Sequence, residues 1–442
     1  MIISSPKYKK FLLFIGDVLI LYLSLWLTLM WRFGTPLNAF IWKLHFLPFT
    51  IIYLLWLLIF YILGLYDLKI ARNDLNFYSI LLKGLIICVL VGLSFFYLIP
   101  YFGITPKTIL FLNIILFFVL ISLWRQIFNT LIKLPSLYQN IIIIGKNSQT
   151  IELTEKINST PQLGYKIVTL IEPKKEKLLE VLQNYKSCTI VTAINLNQHP
   201  EIAKILYQHL ISFNFEDFPS FYEKITGKIP LSQINEIWLL NNIKESKKEF
   251  YEKVKRFIDV VIGIILGIVT IILFIPTAIA IKINSPGPIF YKQKRVGKNG
   301  KIFELYKFRS MIKNAETRGA VWAQKNDPRI TKVGKVLRKT LIDELPQSIN
   351  ILKGDLSFIG PRPERPEFVE RLEKEIPFYQ ARHLIKPGLT GWAQVNYKYG
   401  NSVEDAFEKL QYDLFYLKNR SIILDFKILL KTVNVALKGG TQ

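Results

Sequence analysis

Four long apolar stretches fill the first third of the chain, at about residues 11–31, 44–65, 80–99 and 107–124. Each approaches the roughly 20 residues a helix needs to cross the hydrocarbon core of a bilayer. Backbone facing lipid must satisfy its own hydrogen bonds, so such stretches are expected as helices. Lys7, Lys9 and Lys10 precede the first run, Lys69 and Arg72 follow the second, and Arg125 and Lys133 follow the fourth. The loops between them, with Arg32, Lys43 and Lys107, carry fewer cations per crossing. The positive-inside tendency therefore places both ends of this four-helix bundle in the cytoplasm. Trp31, Trp42, Tyr66, Tyr97 and Trp124 lie near the run ends, as in an interfacial aromatic belt. With 51% hydrophobic residues and a mean hydropathy of +0.28, the 442-residue chain is too apolar for an ordinary soluble protein.

The formal net charge is +24, and from Tyr251 onward 33 lysines and arginines face 18 acids. Such a surplus favours anionic partners: lipid headgroups, nucleic acid or phosphorylated substrates. Nucleic acid is disfavoured, because no nucleic-acid motif accompanies the cations. Cys88 and Cys188 are too far apart in sequence to read as a disulfide framework, and suit a reducing compartment. The first apolar run lacks a small-residue cleavage pattern and is expected to stay as an anchor.

From about residue 139 the texture changes to strands alternating with helices. "NIIIIG" reads as a buried strand followed by a helix near 148–158; "YKIVTLIE", a charged helix, "SCTIVTAI" and a helix near 199–211 come next. This order predicts a small parallel α/β domain. Its first turn, "GKNSQT", has one glycine where a dinucleotide fingerprint needs three, which argues against NAD. A fifth apolar run, Phe257 to Ile283, has cations at both ends: Lys253, Lys255 and Arg256, then Lys282, Lys292, Lys294 and Arg295. A crossing helix would strand one cluster on the wrong face, and Pro276 favours a kink. The expectation is a re-entrant helical hairpin over 257–283.

Within "RKTLIDELPQSINILKG", Leu345, Ile349 and Leu352 recur at helical spacing, so a short helix is expected at about 344–353, ended by Gly354. Asp343 then falls near the N-cap and Glu344 in the first turn. One acid is explained by capping. Two adjacent acids, with Arg338 and Lys339 before them and Arg362 and Arg365 after them, also suit phosphate chemistry. An aspartate can form an acyl phosphate, and two carboxylates can hold Mg²⁺ together with substrate phosphates. Capping and catalysis both remain open on these residues alone. His45, His199, His209 and His383 form no metal spacing; His383 reads as structural, and Glu367, Glu370, Glu373 and Glu375 as a solvated helix face.

"KRFIDVVIG", "INSPGPIFYKQKRVG", "KFRSM", "LRKTLIDELPQSINILKGDLSFIGPRPERPEF" and "KPGLTGWAQVNYKYG", in this order over about 250–442, resemble the bacterial sugar transferases. These are polyprenyl-phosphate hexose-1-phosphate transferases, the monotopic phosphoglycosyl transferases that initiate exopolysaccharide, capsule and O-antigen synthesis. The upstream half is similar to their long-form members. Ile275 before Pro276 departs from the small or hydroxyl residue common there.

The resemblance implies transfer of a hexose 1-phosphate from a UDP-hexose to undecaprenyl phosphate, releasing UMP and requiring Mg²⁺. It assigns Asp343 as the nucleophile of a covalent phosphosugar intermediate, with Glu344 assisting through metal or proton handling, both carboxylates serving as metal ligands. Arg338 and Arg362 match substrate-binding positions, with Lys307, Arg309 and Gln394 as further ones, and Pro276 as the membrane kink. An aspartate ionised at pH 7 would need no base. The expected architecture is a four-helix transmembrane domain (1–132), a degenerate nucleotide-fold, Rossmann-like α/β domain (133–245) and a mainly helical α+β catalytic domain (246–442). The implied setting is the bacterial inner membrane, multi-pass, with the catalytic domain on the cytoplasmic face, membrane lipid as a partner and a homodimer as the assembly. Two rivals are a non-catalytic membrane scaffold and a nucleotide-sugar-modifying enzyme using the α/β domain.

Overall fold

In a computed structural model, the described residues are 6–34, 37–68, 70, 73–98, 107–132, 138–185, 188–243, 248–313, 315, 327–397, 400 and 402–437. Lys69, Arg72 and Lys133, together with Lys398 and Tyr399 of "NYKYG", lie outside them. The chain forms two compact units, Met1–Phe221 and Tyr222–Gln442.

The first unit opens with helices α1 (Pro6–Phe33), α2 (Ala39–Ile62), α3 (Leu75–Leu98) and α4 (Lys107–Leu131), all long and apolar enough to cross a membrane. Their surface is the inverse of a soluble bundle. Phe11, Leu19, Trp31, Leu54, Leu90 and Phe111 are exposed, whereas the interior holds polar pairs among Leu21, Trp56, Phe60 and Phe117. Arg125 donates to Asp17 at 2.6 Å and to the Leu65 carbonyl at 2.9 Å, with both charged side chains buried. Tyr53 donates to Asn113 at 3.1 Å, and Asn113 to Ser24 at 2.9 Å. Gly16 lets α1 close on α4: a Cβ there would sit 2.3 Å from the Trp124 ring. Ionisable groups turned inward and hydrocarbon turned outward are what a lipid solvent selects.

Next come β1 (Gln139–Ile144), α5 (Ser148–Ser159), β2 (Tyr165–Ile171), α6 (Lys175–Asn184), β3 (Thr189–Thr192), α7 (Pro200–Gln208) and β4 (Asn214–Asp217). The sheet is wholly parallel in the order β2-β1-β3-β4. Its central strand is an unbroken buried run, Ile141–Ile144, as strands covered on both faces require. β4 had no signal in the sequence reading. Gly145 has a φ of +105°, and a Cβ there would lie 3.0 Å from the Ala193 carbonyl oxygen, so backbone closes tightly behind β1. Asn147 and Thr150 cap α5 reciprocally, which occupies amides a phosphate would otherwise use. The unit ends inside α8 (Phe218–Thr226).

Residues 222–243, expected to belong with the α/β domain, group with the second unit. Ile229 and Leu231 pack in its core with Val369, Leu372, Trp392, Leu410 and Leu417. After α9 (Glu236–Asn242) comes α10 (Glu249–Asn284). The segment expected to double back as a hairpin forms one uninterrupted helix of 36 residues with Pro276 inside it, about 54 Å at 1.5 Å per residue. The second unit bonds to that helix near both ends and at its middle. Tyr251 and Lys255 donate to Asp425, Arg256 to the carbonyls of Ile351 and Leu352, Thr270 to that of Leu345, and Asn284 accepts from the Val333 amide. Its outer face exposes Phe257, Ile264, Ile268, Ile271, Ile275 and Ile279.

The hairpin β5 (Phe290–Val296) and β6 (Ile302–Phe308) follows, antiparallel with Phe290 opposite Phe308. Then come α11 (Lys332–Lys339), a 3-10 stretch Ile342–Gln347, α12 (Ser348–Lys353) and β7 (Ser357–Ile359). α13 (Pro366–Glu375) leads to β8 (Gly388–Thr390), which pairs parallel to β7; α14 (Trp392–Asn396), α15 (Val403–Asn419) and α16 (Ile422–Leu437) complete the unit. The helix expected over 344–353 is thus split between a 3-10 stretch and α12. Gly354 ends α12 at a φ of +91°, as expected. The buried side of α12 is Ser348, Asn350 and Ile351, while Ile349 and Leu352 are exposed. Of the expected stripe only Leu345 packs inward, while Ile349 and Leu352 are partly open to solvent on the same unit as the bare flank of α10.

Candidate active site

The two adjacent acids lie in the first turn of the 3-10 stretch. Leu341 precedes them at a φ of +59°, a left-handed conformation that strains a residue with a Cβ by about 1 kcal/mol. The Leu341 amide donates to the Arg338 carbonyl, so α11 turns sharply into the 3-10 stretch. Strain of this kind is retained where surrounding contacts over-determine it, commonly at functional sites. Neither acid caps a helix, since no side-chain cap bond forms at this N-terminus. The capping explanation therefore fails for both.

Glu344 is held by two cations. Its Oε1 accepts from Lys307 of β6 at 2.7 Å and from Arg362, in the loop after β7, at 2.9 Å. Burial pushes its carboxyl up, but Lys307 and Arg362 outweigh this and hold it well below the ordinary range. Asp343 is its opposite. It is 4% exposed, and its Oδ1 is buried without a hydrogen-bond partner. Burial raises its carboxyl to about 6, against the pull of Lys307, while Glu344 pushes the same way as burial. With a carboxyl raised only to about 6 it is still mostly ionised at pH 7.

Arg338 stands in the last turn of α11. Its Nε donates to Ser310 Oγ at 2.9 Å, and its charge acts on Asp343. Gly334 allows that approach, because a Cβ there would lie 1.9 Å from the Ser310 carbonyl oxygen. On the apolar side, Ile342 and Leu345 bracket the dyad and pack with Phe308, Leu337, Ile281 and Phe274, the last two from α10 on either side of Pro276. The membrane-type helix thus forms the floor of the site.

Asp343, Glu344, Arg338, Arg362 and Lys307 come together as the sequence grouped them. Arg309 and Gln394 do not join them. Arg309 donates to the Ser285 and Pro286 carbonyls and ends α10, where Gly287 at a φ of +130° makes room for it. Gln394 donates to the Leu389 carbonyl at 3.0 Å. Burial lowers His383 to about 4, so it is neutral at pH 7. Glu370 and Glu375 pair with Lys374 and Arg371 on the exposed face of α13. Sequence reasoning missed Ser310, Gly334 and Leu341; only Ser310 had a signal, its place in "KFRSM". Among the described residues no three His, Cys, Asp or Glu side chains cluster, so a cation here would draw on the dyad and on substrate oxygens. Asp343, with its orphaned oxygen, fits that role. Glu344 fits it less well, with Lys307 and Arg362 already on it.

Residues 250–439 match the family model described as bacterial sugar transferase. The chain is 44% identical over 217 residues to UDP-N-acetylgalactosamine-undecaprenyl-phosphate N-acetylgalactosaminephosphotransferase of Aeromonas hydrophila, covering 49% of this chain and 51% of that protein. It thus spans about half the length of that relative. It is 41% identical to an uncharacterized sugar transferase, EpsL, of Bacillus subtilis, over 41% of this chain and 87% of the relative. With UDP-glucose:undecaprenyl-phosphate glucose-1-phosphate transferase of Klebsiella pneumoniae it shares 28% identity over 95% of this chain and 93% of the other. The ordered motifs, the clustered dyad and these matches agree, and the chain belongs to the bacterial sugar transferase family.

Proposed function

We propose that the chain transfers a sugar 1-phosphate from a UDP-sugar to undecaprenyl phosphate in two displacements. An Asp343 carboxylate oxygen attacks the sugar-bearing phosphorus, the bond from that phosphorus to the bridging oxygen breaks, and UMP leaves carrying that oxygen and the electron pair. An oxygen of the polyprenyl phosphate then attacks the same phosphorus and releases the Asp343 carboxylate, giving the sugar diphospho-lipid. One observation carries this reading: Asp343 presents a buried, unpartnered carboxylate oxygen beside cations, while its neighbour Glu344 is already neutralised. Arg338 neutralises phosphate charge, and Lys307 and Arg362 hold Glu344 so that it does not repel the incoming diphosphate. Mg²⁺, held by Asp343 and substrate oxygens with Glu344 alongside, would supply further charge neutralisation on the diphosphate.

The site works at the cytoplasmic leaflet of the inner membrane. Both ends and the middle of α10 are bonded to one charged unit, which a helix crossing to the opposite face could not maintain. Its bare isoleucine flank is therefore read as embedded in one leaflet without crossing to the other face, with α1–α4 as separate spans. The parallel strand order of the α/β domain is that of doubly wound nucleotide folds, and it is read as a degenerate member with its helix cap filled. The higher identity to the Aeromonas protein favours an acetamido sugar over glucose as the donor. UMP release from a panel of UDP-sugars with undecaprenyl phosphate and Mg²⁺ tests the function. Release with at least one donor, lost in Asp343→Asn, supports it; release unchanged in Asp343→Asn refutes the assigned nucleophile.

A further inference from the structure

We infer that Arg382 is a positioning residue for this site, acting through the main chain of Arg362; the inference rests on the function proposed above. Arg382, in the 3-10 stretch Tyr379–Leu384, is 7% exposed. Its Nη1 donates to the Tyr379 hydroxyl at 2.6 Å, and its Nη2 donates to the Arg362 carbonyl at 2.8 Å. The same Nη2 lies 2.9 Å from Asp413 Oδ2, an ion pair whose partners are both buried. A core ion pair needs only Asp413 and one cation. Arg382 does more, spanning a hydroxyl and a main-chain oxygen with one rigid planar fork, which an ammonium cannot copy.

That main-chain oxygen belongs to the residue whose side chain reaches Glu344. Pro361 and Pro363 flank Arg362 and narrow its backbone freedom. Arg295 holds the next carbonyl, that of Pro363, at 2.8 Å. With its peptide fixed from behind, the Arg362 side chain has little choice but to project at Glu344. The connection runs from Asp413 and Tyr379 through Arg382 to Arg362 and ends at the dyad. Nothing in the "ARH" stretch, read as sequence, marks this role.

The test is a double-substitution cycle in the full chain, purified in detergent with donor and polyprenyl phosphate supplied. Transfer is measured as kcat/KM for the parent, Arg382→Lys, Arg362→Ala and the pair, with thermal melting alongside. Arg382→Lys keeps a cation for Asp413 and is expected to lose about tenfold or more in the parent. On the Arg362→Ala background it should lose less than about twofold, because the group it positions is gone. Equal losses in both backgrounds, or no loss in the parent, overturn the inference. If Arg382→Lys does not fold, Tyr379→Phe removes a single bond to Arg382 and is judged by the same pattern on the two backgrounds. An Arg362→Ala protein as active as the parent contradicts the reading of the site as well as this inference, whereas additivity contradicts this inference alone.

Discussion

The carboxylates of Asp343 and Glu344 belong to consecutive residues, yet one is bound by two cations and the other keeps a buried oxygen with no partner. Like charges side by side repel, and the fold resolves the conflict asymmetrically. Lys307 and Arg362 are spent on Glu344, which leaves an Asp343 oxygen outside any salt bridge, as the proposed nucleophile requires.

Opposite effects on stability follow from that asymmetry. Burial raises Asp343 from 3.8 to about 6, so its charged form opposes folding at neutral pH. Asp343→Asn should therefore stabilise the second unit at pH 7.5, by on the order of 2–3 kcal/mol at most. The gain should vanish near pH 4, where the parent residue is protonated. Glu344→Gln leaves Lys307 and Arg362 without their anion and should destabilise by roughly 3 kcal/mol or more. Thermal melting of both proteins at the two pH values checks the signs.

Activity should also follow Asp343 with pH. A nucleophile whose carboxyl is raised to about 6 is active in its deprotonated form, so the rate holds above about pH 7. Below pH 6 it should fall about tenfold per pH unit. Single-turnover UMP release between pH 4.5 and 8 measures this. A profile flat down to pH 4.5 would place the attacking group elsewhere.

Arg309 separates a structural cation from a substrate-binding one. Its bonds go to Ser285 and Pro286 at the end of α10. Arg309→Ala should lower the melting temperature while leaving KM for the UDP-sugar within about twofold. A large rise in KM without loss of stability would restore it to the binding site.

In the first unit, Asp17 and Arg125 form a buried pair within helices long and apolar enough to cross a membrane. Arg125→Leu strands the Asp17 carboxylate and should cost about 3–5 kcal/mol, seen as loss of monodisperse protein in detergent. Replacing both residues by leucine should recover most of it. Recovery absent in the double variant would mean that the bond from Arg125 to the Leu65 carbonyl matters more than the pair.

Much of this was legible in the sequence because it follows from local chemistry. The apolar lengths marked α1–α4, the isoleucine run marked β1, and the acids with their ordered motifs marked the candidate site. What was not legible depends on distant contacts. The partners that α10 meets, among them Asp425, Leu345 and Val333, are far away in sequence. The stripe Leu345, Ile349 and Leu352 reads as one core face, yet only Leu345 joins the apolar cluster under the dyad, while Ile349 and Leu352 stay partly exposed. Arg309 and Arg362 are both arginines in motifs, and nothing local says that one ends a helix and the other meets Glu344. β4 is four residues with no apolar run, a strand only because β3 lies beside it.

The most direct test of the central claim is to trap the intermediate. The purified chain is mixed with a UDP-sugar and Mg²⁺ without polyprenyl phosphate, then acid-quenched and read by intact-mass and peptide mass spectrometry. A sugar-phosphate adduct on the peptide bearing Asp343, absent in Asp343→Asn and discharged by adding polyprenyl phosphate, is the expected result. UMP release at full stoichiometry with the adduct on another residue would contradict the assignment of Asp343 as the nucleophile.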